Sequence, residues 1–345
     1  MSGGRKGAAS SRWQRVARRE GRFIFAMAAV VVVTVLLVAI GAATHAGQRP
    51  NAPSPGMVAG SSPIDTKLYT DPDVLAAAAA REDPRLAPIA DTPQAKWFSD
   101  WSTSATVRSD VGDYLAGAAA ANAVPTMVLY RIPALDCGGG ARDEQVYKGA
   151  PTEQEYKDWV DGAAEALTGH GDAIVILEPD ALPQLGHCEQ GDRVGLLRHA
   201  VDALSATGAR IYIDAGHENW VTAAETANRL KSVGIDKVAG FSLNVSNYNT
   251  TEGEVLFAES VRFHLNELGV TDPHYVIDTS RNGAGPQDHY CNAPGARLGQ
   301  APQLFRGGAL DGLLWVKNPG ETDGVCQGAP IIGFWASAAL SLLGL

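Results

Sequence analysis

One apolar run that ends in two carboxylates constrains the fold of this chain more than any other feature. Residues 173–180 read Ala-Ile-Val-Ile-Leu-Glu-Pro-Asp, so β-branched side chains are followed at once by Glu178, a proline and Asp180. A short, uninterrupted apolar run of this kind is typical of a strand that is buried on both faces, as in a parallel sheet. We therefore expect the carboxyl end of this strand to deliver Asp180 into a cleft.

Six further segments also read as strands, and five of them lead to ionisable or polar residues. They are Lys96–Phe98, 124–130 leading to Asp136, 209–213 followed by Asp214 and His217, 240–243 followed by Asn244, 274–277 followed by Asp278, and 313–316 followed by Lys317, Glu321 and Asp323. Segments with helical spacing alternate with them, at 153–167, 194–206, 222–232 and 254–268. Acidic groups at the carboxyl ends of parallel strands are typical of the active face of a barrel enzyme. Because seven strands are one short of eight, the predicted fold class is α/β, a distorted, incomplete (β/α) barrel with about seven parallel strands.

The first 63 residues read as a leader that directs the chain out of the cytoplasm. Residues 1–22 are rich in arginine and predict a basic cytoplasmic N-region, and residues 23–43 are uncharged and long enough for a membrane-spanning helix of ~20 residues. A cleavable signal peptide fits as well, because Thr44-His-Ala46 offers small residues at a cleavage site. Residues 44–63 are rich in Pro, Gly and Ser and predict a flexible linker, which leaves 64–345 as one folded domain. We expect that domain to be extracellular, either secreted or anchored to the outer face of the cytoplasmic membrane.

The cysteines indicate in which compartment the chain folds, and the net charge indicates which partners it can bind. Four cysteines in an exported chain predict two disulfides, and the sequence alone allows three pairings; the residues are Cys137, Cys188, Cys291 and Cys326. None of them has the short ligand spacing of a structural zinc site. The net charge is −10 with no basic patch in the folded part, which argues against nucleic acid as a partner.

The paired carboxylates favour hydrolysis of a glycosidic bond. A glycosidase needs one carboxylic acid to protonate the leaving oxygen and a second carboxylate on the other face of the sugar. Asp180 suits the acid role if burial or a neighbouring negative charge raises its pKa, and Asp136 is the candidate neighbour. Other chemistries fit less well: His217 is the only histidine in a strand-end motif, no Gly-x-Ser-x-Gly occurs, and glycines 138–140 lack the Lys of a phosphate loop. We therefore expect no metal and no cofactor.

Six motifs, in order along the chain, resemble those of glycoside hydrolase family six, the inverting cellulases. They are Tyr130-Arg-Ile-Pro-Ala-Leu-Asp136-Cys137, Glu178-Pro-Asp180, Asp214-Ala-Gly-His217-x-x-Trp220, Asn244-Val-Ser-Asn247-Tyr, Ile277-Asp-Thr-Ser-Arg-Asn-Gly283 and Trp315-Val-Lys317-x-Pro-Gly-Glu321-x-Asp323-Gly324. The resemblance covers the chain from Lys96 to the C-terminus, so residues 64–345 read as a glycoside hydrolase catalytic domain. It implies hydrolysis of β-1,4-glucosidic bonds in cellulose or a related β-glucan, with inversion at the anomeric carbon. The segment between Cys291 and Cys326 is moderately short, which favours an open cleft and cleavage of internal bonds over the exo action of a cellobiohydrolase.

The resemblance also implies roles for individual residues. Asp180 matches the general acid, Asp136 the aspartate that supports it and organises the water, and Asp323 the proposed general base. The implied sugar-binding residues are Trp97, Ser99, Tyr130, His217, Trp220, Asn247, Tyr290, Lys317 and Glu321. The implied disulfides are Cys137–Cys188 and Cys291–Cys326. Flat indoles such as Trp97 and Trp220 suit the apolar C–H faces of glucose, while charged side chains bond its hydroxyls.

Three departures from the family pattern leave other functions open. Leu135 stands where the family usually has Arg, the loop at 138–143 offers no Ser to hold the water, and Tyr290 replaces the usual Trp. Loss of the Arg removes a charge partner near Asp136 and would raise the pKa of that carboxyl. The alternatives are the same fold acting on a different envelope or extracellular glucan, and a catalytically weakened carbohydrate-binding protein. With a β-glucan polysaccharide as the partner, we expect a monomer that meets the membrane only through residues 23–43.

Overall fold

A nine-stranded sheet, in which seven strands run parallel, forms the frame of the molecule. The computed structural model describes residues 61–138, 148–187 and 191–345. The strands are β1 (Ser62–Ile64), β2 (Lys96–Phe98), β3 (Thr126–Leu129), β4 (Ile174–Leu177), β5 (Arg210–Asp214), β6 (Gly240–Leu243), β7 (His274–Asp278), β8 (Gln303–Arg306) and β9 (Leu310–Leu314). Their order in the sheet is β1-β8-β9-β7-β6-β5-β4-β3-β2. Among the strands of the described residues, only the pairs β1–β8 and β8–β9 are antiparallel, so the predicted seven parallel strands are confirmed.

Helices alternate with the parallel strands from β2 to β7. They are α1 (Leu75–Glu82), α2 (Ala87–Ala90), α3 (Val107–Ala120), α4 (Glu153–Leu167), α5 (Arg193–Ser205), α6 (Ala223–Val233), α7 (Thr251–Glu267) and α8 (Ala336–Leu343). Short 3₁₀ turns cover Pro84–Leu86, Leu135–Gly138, Ile235–Lys237 and Cys326–Gly328. From α3 to α7 each helix packs against the next one along the chain, and their buried residues share one hydrophobic core with those of the strands.

Burial and capping explain why these segments fold as they do. All residues of β3, β4 and β6 are buried, as expected for parallel strands covered on both faces. Each buried Val, Leu or Ile contributes about 1.5–3 kcal/mol relative to an exposed one. Thr152, Thr222 and Thr250 precede α4, α6 and α7, and each hydroxyl accepts the N–H three residues later. Such caps bond N–H groups that the helix itself leaves unpaired.

The barrel is open between β2 and β9. Among the strands that the structure describes, β2 pairs only with β3, and the sheet continues past β9 into the antiparallel β8 and β1. Hydrogen bonds nevertheless bridge the gap: the Ala95 N–H donates to the Trp315 carbonyl at 2.9 Å, the Trp97 indole Nε1–H donates to the Val316 carbonyl at 2.8 Å, and the Asn318 amide donates to the Ala95 carbonyl at 3.0 Å. The opening therefore has Trp97 on one side and the segment after β9 on the other.

Two strands have bounds that differ from the sequence-based expectation. Ser62 and Pro63, which we assigned to the linker, lie in β1, where they pair with β8. The last parallel strand is Leu310–Leu314 rather than 313–316, because Asp311 interrupts the apolar pattern. Its carboxylate accepts the Tyr212 hydroxyl at 2.5 Å and bonds His274 Nδ1 at 2.8 Å, so a polar residue is accommodated in the sheet.

The predictions for residues 1–60 lie outside the described residues. In the described part of the chain, no helix is long and apolar enough to cross a membrane. The predicted bridge Cys291–Cys326 is present, and closing a loop of this length contributes about 3–4 kcal/mol. Cys137 is also disulfide-bonded. Its predicted partner Cys188 is not among the described residues, so that pairing stays a prediction.

Candidate active site

Three strand-end carboxylates, Glu178, Asp214 and Asp278, are buried and bond the backbone of neighbouring loops. Glu178 follows β4 and accepts the Arg131 N–H at 3.0 and 3.1 Å on its two oxygens and the Ile132 N–H at 3.1 Å. These bonds tie the loop after β3 to the end of β4. Burial raises the pKa of Glu178 to about 7. Since the side chain is fully enclosed, it supports the site without reaching a ligand.

Asp214 at the end of β5 fixes the backbone of Asp180. Its Oδ1 accepts the N–H of Asp180 at 3.0 Å and that of Gly216 at 3.2 Å, and its Oδ2 accepts the Ser242 hydroxyl at 3.1 Å. Asp180 has a φ of +70°, a left-handed conformation that costs a non-glycine residue about 1–3 kcal/mol. The surrounding bonds hold this half-buried aspartate in a strained position, as is common for residues that act on a ligand.

Asp278 at the end of β7 fixes the backbone of Lys317 in the same way. Its carboxylate accepts the N–H of Lys317 at 2.9 Å and of Val316 at 3.2 Å, both directly after β9. It also accepts the Ser246 N–H at 3.0 Å from the loop after β6. Burial raises the pKa of Asp278. The loops after β3, β4, β6 and β9 are thus held by three carboxylates that the sequence marked only as candidates for chemistry.

A cleft of about 460 Å³ lies at the gap between β2 and β9. The predicted residues that line it are Trp97, Ser99, Tyr130, Lys317, Glu321 and Asp323. The rings of Trp97 and Tyr130 meet edge to face, with 5.4 Å between their centroids. Ser99 is buried, and its Oγ has no hydrogen-bond partner within the described part of the chain. Because that oxygen is enclosed, the contact of Ser99 with a sugar stays a prediction.

Two cations surround the carboxylate of Asp323. Arg281 Nη1 lies 2.7 Å from Oδ2, Lys317 Nζ lies 2.9 Å from Oδ1, and the Asn292 N–H donates to Oδ2 at 2.9 Å. Burial alone would raise the pKa of Asp323, but the Arg281 guanidinium and the Lys317 ammonium hold it well below its usual range. A general base works best when its pKa lies near the working pH. The environment therefore favours a permanent negative charge at Asp323 over proton acceptance.

Lys317 and Glu321 lie close to this carboxylate. Lys317 is buried, and besides Asp323 its ammonium donates to the Thr322 carbonyl at 3.2 Å. Burial raises the pKa of Glu321, and the charges of Lys317 and Lys96 partly oppose that shift. The polar part of the cleft therefore combines the ammonium of Lys317 with two carboxyl groups, of which Glu321 has a raised pKa and Asp323 a lowered one. Such a mixture of donors and acceptors suits a polyhydroxylated ligand.

His217 and Trp220 form a pair on the loop after β5. Their ring centroids are 5.4 Å apart, and the Asn219 N–H donates to His217 Nδ1 at 3.2 Å. Burial lowers the pKa of His217 to about 4, so the imidazole is neutral at neutral pH. Gly216 has a φ of +78°, and a Cβ there would lie 2.7 Å from the Pro183 side chain, so only glycine fits this turn. Neither ring lines the cleft beside Trp97.

Three other predicted residues, Asp180, Asn247 and Tyr290, do not line that cleft. Asn247 is half-buried on the loop after β6, and Tyr290 is 68% exposed beside the Cys291 bridge. Asp136 lies in the turn Leu135–Gly138, but its side chain is not described. Leu135, which replaces the arginine usual in the family, packs into the hydrophobic core. The roles of Asn247, Tyr290 and Asp136 stay predictions.

Two buried arginines at the site were missed by the sequence analysis. Arg193 at the start of α5 donates to the Ala134 carbonyl at 2.6 Å and the Ala181 carbonyl at 3.3 Å, so it joins the loops after β3 and β4. Arg281 was part of a quoted motif but received no role, although it pairs with Asp323. Nothing local identifies either residue, because their partners are distant in sequence.

We expect the stability of the domain to fall as the pH rises from 5 to 8. Burial raises the pKa of Glu254 in α7 to about 8; its Oε1 accepts N–H groups of Glu218 and Asn249, and its Oε2 has no described partner. The unfolded group titrates near 4.3, so the folded state binds the proton more tightly. This contribution to stability is complete below the unfolded pKa and is lost as the pH rises through the folded value. Glu178 and Asp214, whose pKa values burial raises to about 7, act in the same direction.

Urea unfolding at pH 5 and pH 8 measures this dependence. Glu254→Gln keeps the shape and removes the titration, so the difference in unfolding free energy between the two pH values should shrink by about 1–3 kcal/mol. Glu252→Gln is the matched control, because Glu252 is exposed in the same first turn of α7. Equal pH dependence in the wild type and Glu254→Gln would contradict the assignment. Asp323 stays ionised across this window and does not contribute.

Comparison with known proteins identifies the family. Residues 65–335 match the model of the glycosyl hydrolases family 6, and the chain belongs to this family. It is 42% identical over 275 residues to Endoglucanase A of Cellulomonas fimi and 40% identical over 282 residues to Endoglucanase A of Thermobispora bispora. These matches cover 78% and 77% of this chain but 58% and 59% of the two relatives. The chain therefore spans less than two thirds of their length.

A solved structure is similar over the same region. It is the endoglucanase Cel6 from Mycobacterium tuberculosis in complex with methyl-cellobiosyl-4-deoxy-4-thio-β-D-cellobioside, with a TM-score of 0.73 and 38% identity, covering 83% of this chain and 97% of that one. The fold class predicted from the sequence is thereby confirmed. Relatives found at 36–42% identity are named endoglucanases, and those at 27–29% identity carry mixed names, exoglucanase, cellobiohydrolase and endoglucanase.

Proposed function

We propose that this chain is an endo-β-1,4-glucanase that hydrolyses internal bonds of cellulose or a related β-glucan with inversion at the anomeric carbon. The observation that carries the proposal is the cleft at the open side of the barrel, which places the Trp97 and Tyr130 rings beside Lys317 and Asp323. An aromatic ring covers the apolar face of a glucosyl unit while charged groups bond its hydroxyls. The endoglucanase names of its relatives and the thio-linked cellobioside in the Mycobacterium tuberculosis structure support this substrate class.

In the proposed mechanism Asp180 is the general acid. Its carboxylic acid protonates the leaving glycosidic oxygen while a water attacks the anomeric carbon from the opposite face of the sugar. Asp136 supports the acid and organises the water. Asp323, held ionised by Arg281 and Lys317, is a fixed charge that keeps these two cations in place on the wall of the cleft and accepts hydrogen bonds from sugar hydroxyls. In this assignment the water passes its proton on through solvent, because Asp323 is a weak acceptor.

We further propose that the domain works outside the cytoplasm as a monomer. The Cys291–Cys326 bridge supports export, since disulfides persist in oxidising compartments. Residues 23–43 serve either as a cleaved signal or as the single membrane anchor. The substrate is the only partner that the proposal requires. The described residues include no group of His, Cys, Asp and Glu side chains that could hold a metal ion, and the proposed mechanism uses none.

Product analysis on a soluble substituted cellulose tests the proposal. Proton NMR of the first products should show the α-anomer, because direct attack by water inverts the β-linkage. The viscosity of the solution should fall faster than reducing ends appear, because internal cuts shorten the chains early. An initial β-anomer would contradict the inverting mechanism, and release of cellobiose without early loss of viscosity would contradict the endo assignment.

The same assay separates the alternatives. Turnover on another β-glucan but not on the substituted cellulose would indicate a different envelope or extracellular substrate. Binding without turnover on any glucan would indicate a carbohydrate-binding protein. Leu135 and the loop at 138–143 without a serine are the sequence features that would then explain the loss of activity.

A further inference from the structure

Trp101, which no motif marked, lies on the loop after β2 with more than half of its surface exposed. Its side chain is 54% exposed and lines the cleft together with Trp97. The indole does not swing freely, because Nε1–H donates to the Trp97 carbonyl at 3.0 Å and the ring packs against Phe98 at 5.5 Å between centroids. A solvent-exposed indole that is already held in one orientation is a preorganised binding surface, because a ligand need not order it.

Three more exposed apolar residues share the cleft with Trp101. Leu75 at the start of α1 is 44% exposed, Ile331 is 39% exposed and Ile332 is 55% exposed. They come from two distant segments of the chain and line the same cleft as the buried Lys317. We name Leu75, Trp101, Ile331 and Ile332 the apolar rim. Exposed apolar side chains gathered around a polar cleft are typical of a ligand-binding surface, whereas single exposed ones are ordinary.

The rim continues directly from the surface that the proposed substrate occupies. Trp101 bonds the backbone of Trp97, so the two indoles are held in a fixed relation within one cleft. Asp73, exposed on the same wall, offers a carboxylate for hydroxyl groups. An apolar plate with a nearby acceptor matches a glucosyl unit, which has apolar faces and a polar edge. A purely apolar ligand would gain nothing from that carboxylate.

We propose that the apolar rim binds one further glucosyl unit of the chain whose neighbouring unit lies on Trp97, with Trp101 as the platform. This inference rests on the proposed function, since it extends the same glucan. Its consequence is that the enzyme discriminates by chain length. A longer cello-oligosaccharide reaches Trp101 and gains binding energy, whereas a short one ends before it.

Cello-oligosaccharides of three to six glucosyl units test the inference. In the wild type, kcat/KM should rise with length. Trp101→Ala should lower kcat/KM for the hexasaccharide by about 5–10-fold, the scale of one aromatic contact, and lower it for the trisaccharide less than twofold. Trp101→Phe should lie between the two. Phe263→Ala is the matched control, because Phe263 is 60% exposed on α7 and does not line the cleft, so all lengths should be unaffected.

The outcomes separate this inference from the proposed function. Equal losses at every length, or no loss at the hexasaccharide, overturn the inference while the endoglucanase assignment stands. If the wild type turns over no oligosaccharide, calorimetric titration with the same series still tests the inference. Affinity that grows with chain length and depends on Trp101 supports the inference, and only the catalytic assignment is then lost. Absence of binding at every length overturns both.

Discussion

Asp180→Asn is expected to lower kcat on unactivated β-1,4-glucans by about 10²–10⁴-fold, the usual contribution of a general acid. The variant should fold normally. The bond between the backbone N–H of residue 180 and Asp214 does not involve the exchanged carboxyl, and asparagine tolerates the observed φ of +70° well. Binding of cello-oligosaccharides should persist, because the Trp97 wall of the cleft is unchanged.

Two controls separate the acid role from structural damage. A glucoside with a good leaving group needs little protonation, so its turnover by Asp180→Asn should fall far less than turnover of the unactivated glucan. Asp172→Asn makes the same exchange at an exposed aspartate just before the other end of β4 and should be neutral. Near-normal turnover of unactivated glucans by Asp180→Asn would remove Asp180 from the acid role.

Much of the fold was predictable because the parallel strands are buried on both faces. Burial makes β3, β4 and β6 nearly continuous apolar runs that the sequence displays directly. The antiparallel strands β1 and β8 are short and partly exposed, so they carry no such pattern. The start of β9 was missed because Asp311 is stabilised by Tyr212 and His274, two partners that are distant in the sequence.

The site was predictable only in outline. The sequence placed Glu178, Asp214 and Asp278 at strand ends, but it could not show that they are enclosed and bond loop backbones. That role depends on which N–H groups the fold brings to them. Arg281 is a similar case, since its charge matters through a carboxylate 42 positions away. Chemistry-bearing residues can be found from local pattern, whereas the division into supporting and acting groups needs the three-dimensional partners.

Asp323→Asn is expected to destabilise the domain by about 3–5 kcal/mol as well as to reduce activity. The substitution removes the charge that compensates Arg281 and Lys317, whose side chains are only 5% and 8% exposed. When a buried charge loses its partner, nothing offsets the free energy that was needed to remove it from water, and the folded state is destabilised. In thermal unfolding at pH 7, the midpoint should fall on the order of 10 °C. Asp288→Asn, at an exposed aspartate upstream of the Cys291 bridge, should leave the midpoint unchanged.

The pH profile then distinguishes a fixed charge from a general base. A general base at Asp323 with a pKa in the working range would make the kcat of the wild type fall at low pH, because the base would become protonated. This fall, the acid limb of the profile, would be absent in Asp323→Asn. Because Arg281 and Lys317 hold the pKa of Asp323 far below that range, we expect the acid side of the profile to have the same shape in the variant as in the wild type, while kcat drops at every pH. The comparison is made at 20 °C or below, where the variant remains folded. An unchanged unfolding midpoint would contradict the ion-pair argument, and loss of the acid limb would return Asp323 to the role of general base.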